Sequence, residues 1–164
     1  MKPKRDAFVW TAEALCGVIW LAMLLITAFS YASLPGTVAI HFDMAGNADG
    51  WGGKGTLWLL VVFSLVLYGI LSAVGSRPAL WNVPERRREE SRRKVYQLTF
   101  QLLSGIKCVL MGIFCYTQAL VIIGAEQGYC RVGPEYVGAV ILVIAVSVSY
   151  THLDVYKRQA MRTR

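Results

Sequence analysis

Three long, uninterrupted apolar stretches constrain this chain more than any other feature of its sequence. They cover residues 14–33, 57–74 and 102–123. Each falls within the roughly 17–25 residues that a helix needs to cross the hydrocarbon core of a bilayer. Runs such as 59–63 lack the alternation of a membrane β-barrel strand, whereas helices satisfy their own backbone hydrogen bonds in lipid. The sequence therefore predicts an all-α fold, an integral membrane helical bundle.

A fourth apolar run, residues 136–147, is shorter than a full span requires. It breaks off at residues 148–164, which resemble a translated adapter sequence of the kind that recurs at the ends of metagenomic gene models. We therefore expect residues 1–147 to form the membrane domain, with three full transmembrane helices and a truncated fourth. Residues 148–164 are expected to be a non-native tail.

The first apolar run shares features with a secretory signal peptide. It follows a basic start and ends near small residues at positions 30 and 32. Its apolar length exceeds the roughly 7–15 residues of a signal-peptide core, so we expect a retained helix.

The distribution of Lys and Arg among the connecting segments predicts the orientation. The N-terminal arm carries three of these residues, the loop at 34–56 one, the segment at 75–101 seven, and the loop at 124–135 one. Short cytoplasmic loops are enriched in Lys and Arg. We therefore expect a cytoplasmic N-terminus, with loops 34–56 and 124–135 outside.

The composition argues against a soluble enzyme and against a nucleic-acid-binding protein. The chain is 55% hydrophobic and 16% charged, against about 25% charged residues in ordinary soluble domains. Its net charge of +7 comes mostly from basic blocks beside apolar runs, where they act as topology signals. Membrane lipids are therefore the expected partners, and nucleic acid is not. The four cysteines form no C-x-x-C pair, so the spacing of a zinc site is missing.

The outside loop at 34–56 carries most of the specific information. Residues 37–42 alternate apolar Val38, Ile40 and Phe42 with other residues, which predicts a short extended segment with one apolar edge. Six Gly, Asn and Asp residues then crowd positions 46–53 and favour tight turns. We expect one structured extracytoplasmic loop that folds back onto the membrane surface.

This loop resembles the signature of the family known as domain of unknown function 1648, L-P-x-x-V-P-x-H-F-x-x-x-G-x-x-D-G-W-G-S-K. The chain departs from it at Ala39, where the family usually has Pro, and at Gly53, which is often Ser. The matching residues are Leu34, Pro35, Val38, His41, Phe42, Gly46, Asp49, Gly50, Trp51, Gly52 and Lys54.

The resemblance implies a function as well as a fold. The same domain occurs in SdpI-like immunity proteins, bacterial membrane proteins that resist a secreted peptide toxin and can hold a transcriptional repressor at the membrane. It therefore implies a multi-pass protein of the bacterial inner membrane that meets an extracellular peptide through its outside loop, with a cytoplasmic regulator as a second partner. Two alternatives stay open: a fragment of a transporter or membrane enzyme whose site lies in missing helices, and a structural membrane subunit.

Within the loop, His41, Asp43 and Asp49 could bind a ligand or only fix the shape of the loop. Three dispersed groups make a weak metal site, and Ala45 occupies a position that a calcium-binding loop would fill with an acid or amide. Local hydrogen bonds from such side chains commonly stabilise turns. We expect no metal, no cofactor and no catalytic residues, so the chain is not expected to be an enzyme. The residues expected to bind ligand or shape the loop are Pro35, His41, Phe42, Gly46, Asp49, Gly50, Trp51 and Lys54.

Lys107 interrupts the third apolar run. It lies about one and a half turns from the cytoplasmic end of that run, so we expect its ammonium group to reach the lipid headgroups. The alternative is a carboxylate partner in another span, and Glu13 near the start of the first run is the candidate.

Overall fold

The computed structural model describes residues 4–43, 45–81, 89–133, 136, 138 and 141, the side chains of 90–92 excepted. Three helices in this part of the chain are long and apolar enough to cross a membrane, which confirms the all-α membrane bundle. The fourth apolar run and the expected tail lie almost entirely outside the described residues. In chain order the elements are α1 (Ala7–Ser30), β1 (Thr37–Phe42), β2 (Ala48–Gly53), α2 (Thr56–Ser76), a 3₁₀ turn (Pro78–Leu80) and α3 (Glu89–Gln127).

Helix α1 begins earlier than its apolar run. Asp6 caps the helix, because its Oδ1 accepts a hydrogen bond of 3.0 Å from the backbone N–H of Val9. The buried side chains recur at the three- and four-residue spacing of a helix face that packs mainly against α3. That face consists of Val9, Ala12, Cys16, Met23 and Thr27.

Helix α3 begins well before the apolar run at 102–123. It contains 39 residues, and its charged first part continues the same helix, where Arg93 pairs with Glu89 at 3.0 Å. Helix α2, by contrast, extends only slightly beyond its apolar run at 57–74. Charged residues at helical spacing therefore lengthen α3 beyond the part that lipid would cover.

Strands β1 and β2 form an antiparallel hairpin between α1 and α2. The extended segment expected at 37–42 is confirmed. The prediction that its apolar side chains share one edge is wrong. The register shifts between Ala39 and His41, so that Ile40 is an extra residue in β1 and its side chain is 54% exposed. A bulge of this kind changes the face to which the following side chains point. Val38 and Ala39, which are neighbours in sequence, are consequently both buried.

The segment that follows α3, residues 128–133, packs against the hairpin. The N–H of Val132 donates to the carbonyl of Gly46 at 2.7 Å, and the N–H of Ala48 donates to the backbone carbonyl of Cys130 at 3.4 Å. At the opposite end of the bundle, Gln97 of α3 exchanges hydrogen bonds of 2.9 Å with the backbone of Lys4. The two loops expected on one side thus meet each other, and so do the N-terminal arm and the start of α3.

The best-defined core lies directly beneath the hairpin. It joins the end of α1, the hairpin, the start of α2 and the last third of α3, and its members are Leu34, Val38, Leu57, Val121 and Ile122. The outer faces of the helices, in contrast, expose large apolar side chains such as Val18, Phe29 and Leu59. These faces are suited to contact with lipid, so the chain is a membrane protein.

Candidate functional site

The hairpin brings His41 and Asp49 together on its exposed surface. The Nδ1 atom of His41 lies 2.5 Å from Oδ1 of Asp49, and the two side chains are 71% and 46% exposed. His41 pairs with Gly50, and the next residue of β1, Phe42, pairs with Ala48. Asp49 is therefore the extra residue of β2 at the second register shift. The paired bulges therefore position one imidazole and one carboxylate side by side in water.

Two glycines of the sequence pattern are required by this geometry. Gly46 has a φ of 83°, and a Cβ atom there would lie 2.1 Å from the carbonyl oxygen of Val132. A Cβ on Gly50 would lie 2.8 Å from Cβ of His41. Any larger residue at either position must displace the second loop or the imidazole.

Lys54 connects the hairpin to the end of α1. Its Nζ donates to the backbone carbonyls of Tyr31 at 3.0 Å and Leu34 at 3.1 Å, and lies 4.9 Å from the centre of the Tyr31 ring. Tyr31 is the C-cap of α1, where carbonyls lack helical partners and a cation is favoured. The structure thus gives Lys54 a stabilising contact that the sequence pattern alone did not assign.

The remaining predicted residues do not join the His41–Asp49 pair in one compact site. Pro35 is exposed before β1, Phe42 is half-buried, and Trp51 is 57% exposed on β2 opposite Ala39. Trp51 suits the membrane–water boundary, where an indole ring can contact both environments. The pattern therefore combines residues that shape the hairpin with residues that it displays.

A groove of about 620 Å³ is lined by residues of β1, the first half of α2 and the last third of α3. Its walls are mainly apolar, and its polar groups include His41 at the rim and Gln118 on α3. Gln118 is buried, and its Nε2 donates to Thr27 at 2.7 Å and to the carbonyl of Leu57 at 3.1 Å. Gln118 thus joins all three helices just below the hairpin.

Asp43 fixes the turn between the two strands. Its carboxylate accepts the backbone N–H of Asn47 at 2.8 Å, and its backbone N–H donates to the carbonyl of the same residue at 2.8 Å. The bond from the Asn47 N–H holds the pKa of the Asp43 carboxyl below its ordinary value of 3.8. The charged form of Asp43 is therefore part of the folded turn.

A second polar site, the intramembrane polar cluster of Glu13, Tyr68, Ser72 and Lys107, lies between the helices. Lys107 donates to Glu13 and, at 3.1 Å, to Ser72, while the Tyr68 hydroxyl donates to the other Glu13 oxygen. Lys107 is only 4% exposed. The expectation that Lys107 reaches the headgroups is therefore wrong, because Glu13 is close enough to neutralise it inside the bundle.

Neither site has the composition of a metal centre. Among the described residues there is no group of three or more His, Cys, Asp or Glu side chains that could hold a metal ion. Cys130, in the segment that follows α3, is buried, and its Sγ lies 3.6 Å from the carbonyl of Leu120. Burial raises the pKa of this thiol, which disfavours the reactive thiolate.

These features define a helical membrane protein with a structured hairpin between its first two spanning helices. Residues 18–65 match the family described as Domain of unknown function (DUF1648). The match covers the second half of α1, the whole hairpin and the first half of α2, and it confirms the resemblance seen in the loop. No curated protein and no solved structure matches the chain.

Proposed function

We propose that this chain is a multi-pass protein of the bacterial inner membrane that recognises an extracellular peptide through its hairpin, in the manner of SdpI-like immunity proteins. In this proposal the N-terminus is cytoplasmic, and a cytoplasmic regulator is a further partner. The charge distribution supports this orientation, because the described basic residues Lys4, Arg77 and Arg93 lie at the end opposite the hairpin.

One observation carries the proposal: the hairpin is anchored firmly at its base yet displays polar and apolar groups at its surface. Lys54 and the second outside loop hold it in place. His41 and Asp49 remain exposed, and Ile40 and the Trp51 ring stand beside them with more than half of their surface in contact with solvent. Exposed aromatic and apolar groups on a rigid support are typical of recognition surfaces.

The test is protection of bacterial cells against the secreted peptide toxin that SdpI-like proteins resist. Cells expressing the chain should survive the peptide, and His41→Ala and Asp49→Ala should each remove most of the protection. Glu126→Ala is the matched control, because Glu126 is an exposed carboxylate at the same end of the bundle but outside the hairpin. Full protection by both hairpin variants would refute the role of this pair.

A purely structural role of the pair must be separated from recognition. Amide hydrogen exchange of the hairpin should therefore be measured in the same variants. Because both side chains are largely exposed, their loss should change hairpin exchange by less than about threefold, as for most surface substitutions. If the variants no longer protect cells against the peptide but hairpin exchange is unchanged, the pair acts in recognition. If cell survival is lost and hairpin exchange also rises, the result supports a structural subunit.

The intramembrane polar cluster favours a second candidate, a transporter fragment completed by further helices. Charged residues inside membrane bundles commonly lie on ion or proton pathways. In that case Glu13→Gln would abolish transport by the complete protein while His41→Ala left it intact.

A further inference from the structure

The intramembrane polar cluster is not explained by stability alone. Lys107 and Glu13 form a neutral pair whose hydrogen bonds reach α1, α2 and α3. Replacing such a buried pair by apolar side chains of similar volume is often neutral or stabilising, since both charges must be removed from water. A polar pair at this position therefore suggests a role in which its members can change partners.

A second partner for Lys107 lies one turn away. The hydroxyl of Ser104 is 1% exposed and has no hydrogen-bond partner among the described residues. Ser104 precedes Lys107 by three positions on α3, so the two side chains occupy the same face. Helix side chains lean toward the N-terminus, which is the direction from Lys107 to Ser104. A rotation of the Lys107 chain along α3 would bring its ammonium group to this oxygen.

The cluster also has room to rearrange. A cavity of about 110 Å³ lies beside it, and Tyr68 and Cys16 are both in its wall, together with Gly17, Trp20, Leu65 and Met111. This partly open pocket gives the Tyr68 ring space to move.

We propose that the intramembrane polar cluster has two arrangements. In the one described above, Lys107 pairs with Glu13 and holds α1 against α2 and α3. In the other, Lys107 leaves Glu13 and donates to Ser104, and α1 separates from its neighbours at the level of Glu13. The cluster is thus a conformational switch for the half of the bundle opposite the hairpin.

Cys16 provides a natural reporter of the second arrangement. It is 1% exposed, lies one turn from Glu13 on α1, and lines the cavity. The full chain should be reconstituted in lipid nanodiscs with Cys108, Cys115 and Cys130 replaced by alanine. The measured quantity is the rate at which a small, membrane-permeant maleimide modifies Cys16.

Glu13→Gln should raise that rate at least about fivefold, the lower end of ordinary conformational coupling, because Lys107 then loses its counter-charge. Glu13→Gln combined with Lys107→Met should restore the slow rate, since no unpaired charge is left. Ser104→Ala in the otherwise unchanged reporter chain should slow the basal rate, since the second arrangement loses its acceptor. Ser104→Ala retains both charges, so this measurement does not depend on the folding of Glu13→Gln.

Three results would overturn the proposal. An unchanged rate in Glu13→Gln means that the pair does not hold α1. A rate in the double variant as high as in Glu13→Gln means that the substitution merely loosens the packing. A basal rate unaffected by Ser104→Ala means that Lys107 has no second position at this hydroxyl.

Discussion

Gly46→Ala should release the hairpin from the segment at 128–133 that follows α3. Alanine at a φ of 83° costs about 1–2 kcal/mol. Its Cβ would lie 2.1 Å from the Val132 carbonyl oxygen, so the 2.7 Å bond from the Val132 N–H to Gly46 must break, at a further cost of about 1 kcal/mol. The hairpin should therefore open more readily by about 2–3 kcal/mol in total, a factor of about 30–150.

Amide hydrogen exchange in detergent micelles measures this opening directly. The amide to follow is that of Ala48, which donates to the backbone carbonyl of Cys130, close to the bond between Val132 and Gly46. Gly53→Ala is the matched control, because a Cβ there meets nothing within 4 Å and its φ is not positive. Its exchange should stay within about twofold of the unchanged chain, as for an ordinary surface substitution. Equal exchange in Gly46→Ala and Gly53→Ala would refute the reasoning.

Three further predictions concern single side chains. Lys54→Met should lower the free energy of unfolding in detergent by about 2–3 kcal/mol, because two charge-assisted hydrogen bonds to backbone carbonyls are lost. Lys54→Arg should retain most of this stabilisation, because it keeps the charge. Equal losses in the two variants would contradict the role of the charge. The pKa of Asp43 is lowered mainly by the Asn47 N–H, so the charged turn should persist at and above pH 3.8 and be lost only as the pH falls through the still lower folded-state pKa. Amide NMR of Asn47 should show this transition, and Asp43→Asn should remove it; a transition unaffected by Asp43→Asn would contradict the assignment. Gln118→Leu should cost about 1 kcal/mol in a chemical unfolding titration, since its bonds to Thr27 and Leu57 join the three helices; a gain in stability would show that these bonds contribute little.

The sequence was sufficient to predict the spanning helices and the extended start of the hairpin. Long apolar runs and a period-two pattern are local signals. The family pattern also contains Gly46 and Gly50, the two glycines at which the structure leaves no room for a Cβ atom. The start of α1 was less predictable, since the helix begins at a cap supplied by Asp6, well before its apolar run.

Contacts between distant residues could not be predicted in the same way. Lys54 reaches backbone carbonyls 20 and 23 positions earlier, and no side-chain pattern records such acceptors. The bulge at Ile40 depends on the pairing of the two strands, which alternation within one strand does not reveal. For Lys107, the carboxylate of Glu13 at the start of the first apolar run was the available signal, but only the packing of α1 against α3 shows that the two meet.

The orientation of the hairpin tests the proposed function most directly. Ala45→Cys at the hairpin and Ser76→Cys at the end of α2 both place a thiol at an exposed position, on opposite ends of the bundle. With the native cysteines replaced, intact bacterial cells should be treated with a membrane-impermeant maleimide. We predict modification of Ala45→Cys in intact cells, and of Ser76→Cys only after the membrane is permeabilised. The reverse pattern would place the hairpin in the cytoplasm and contradict recognition of an extracellular peptide.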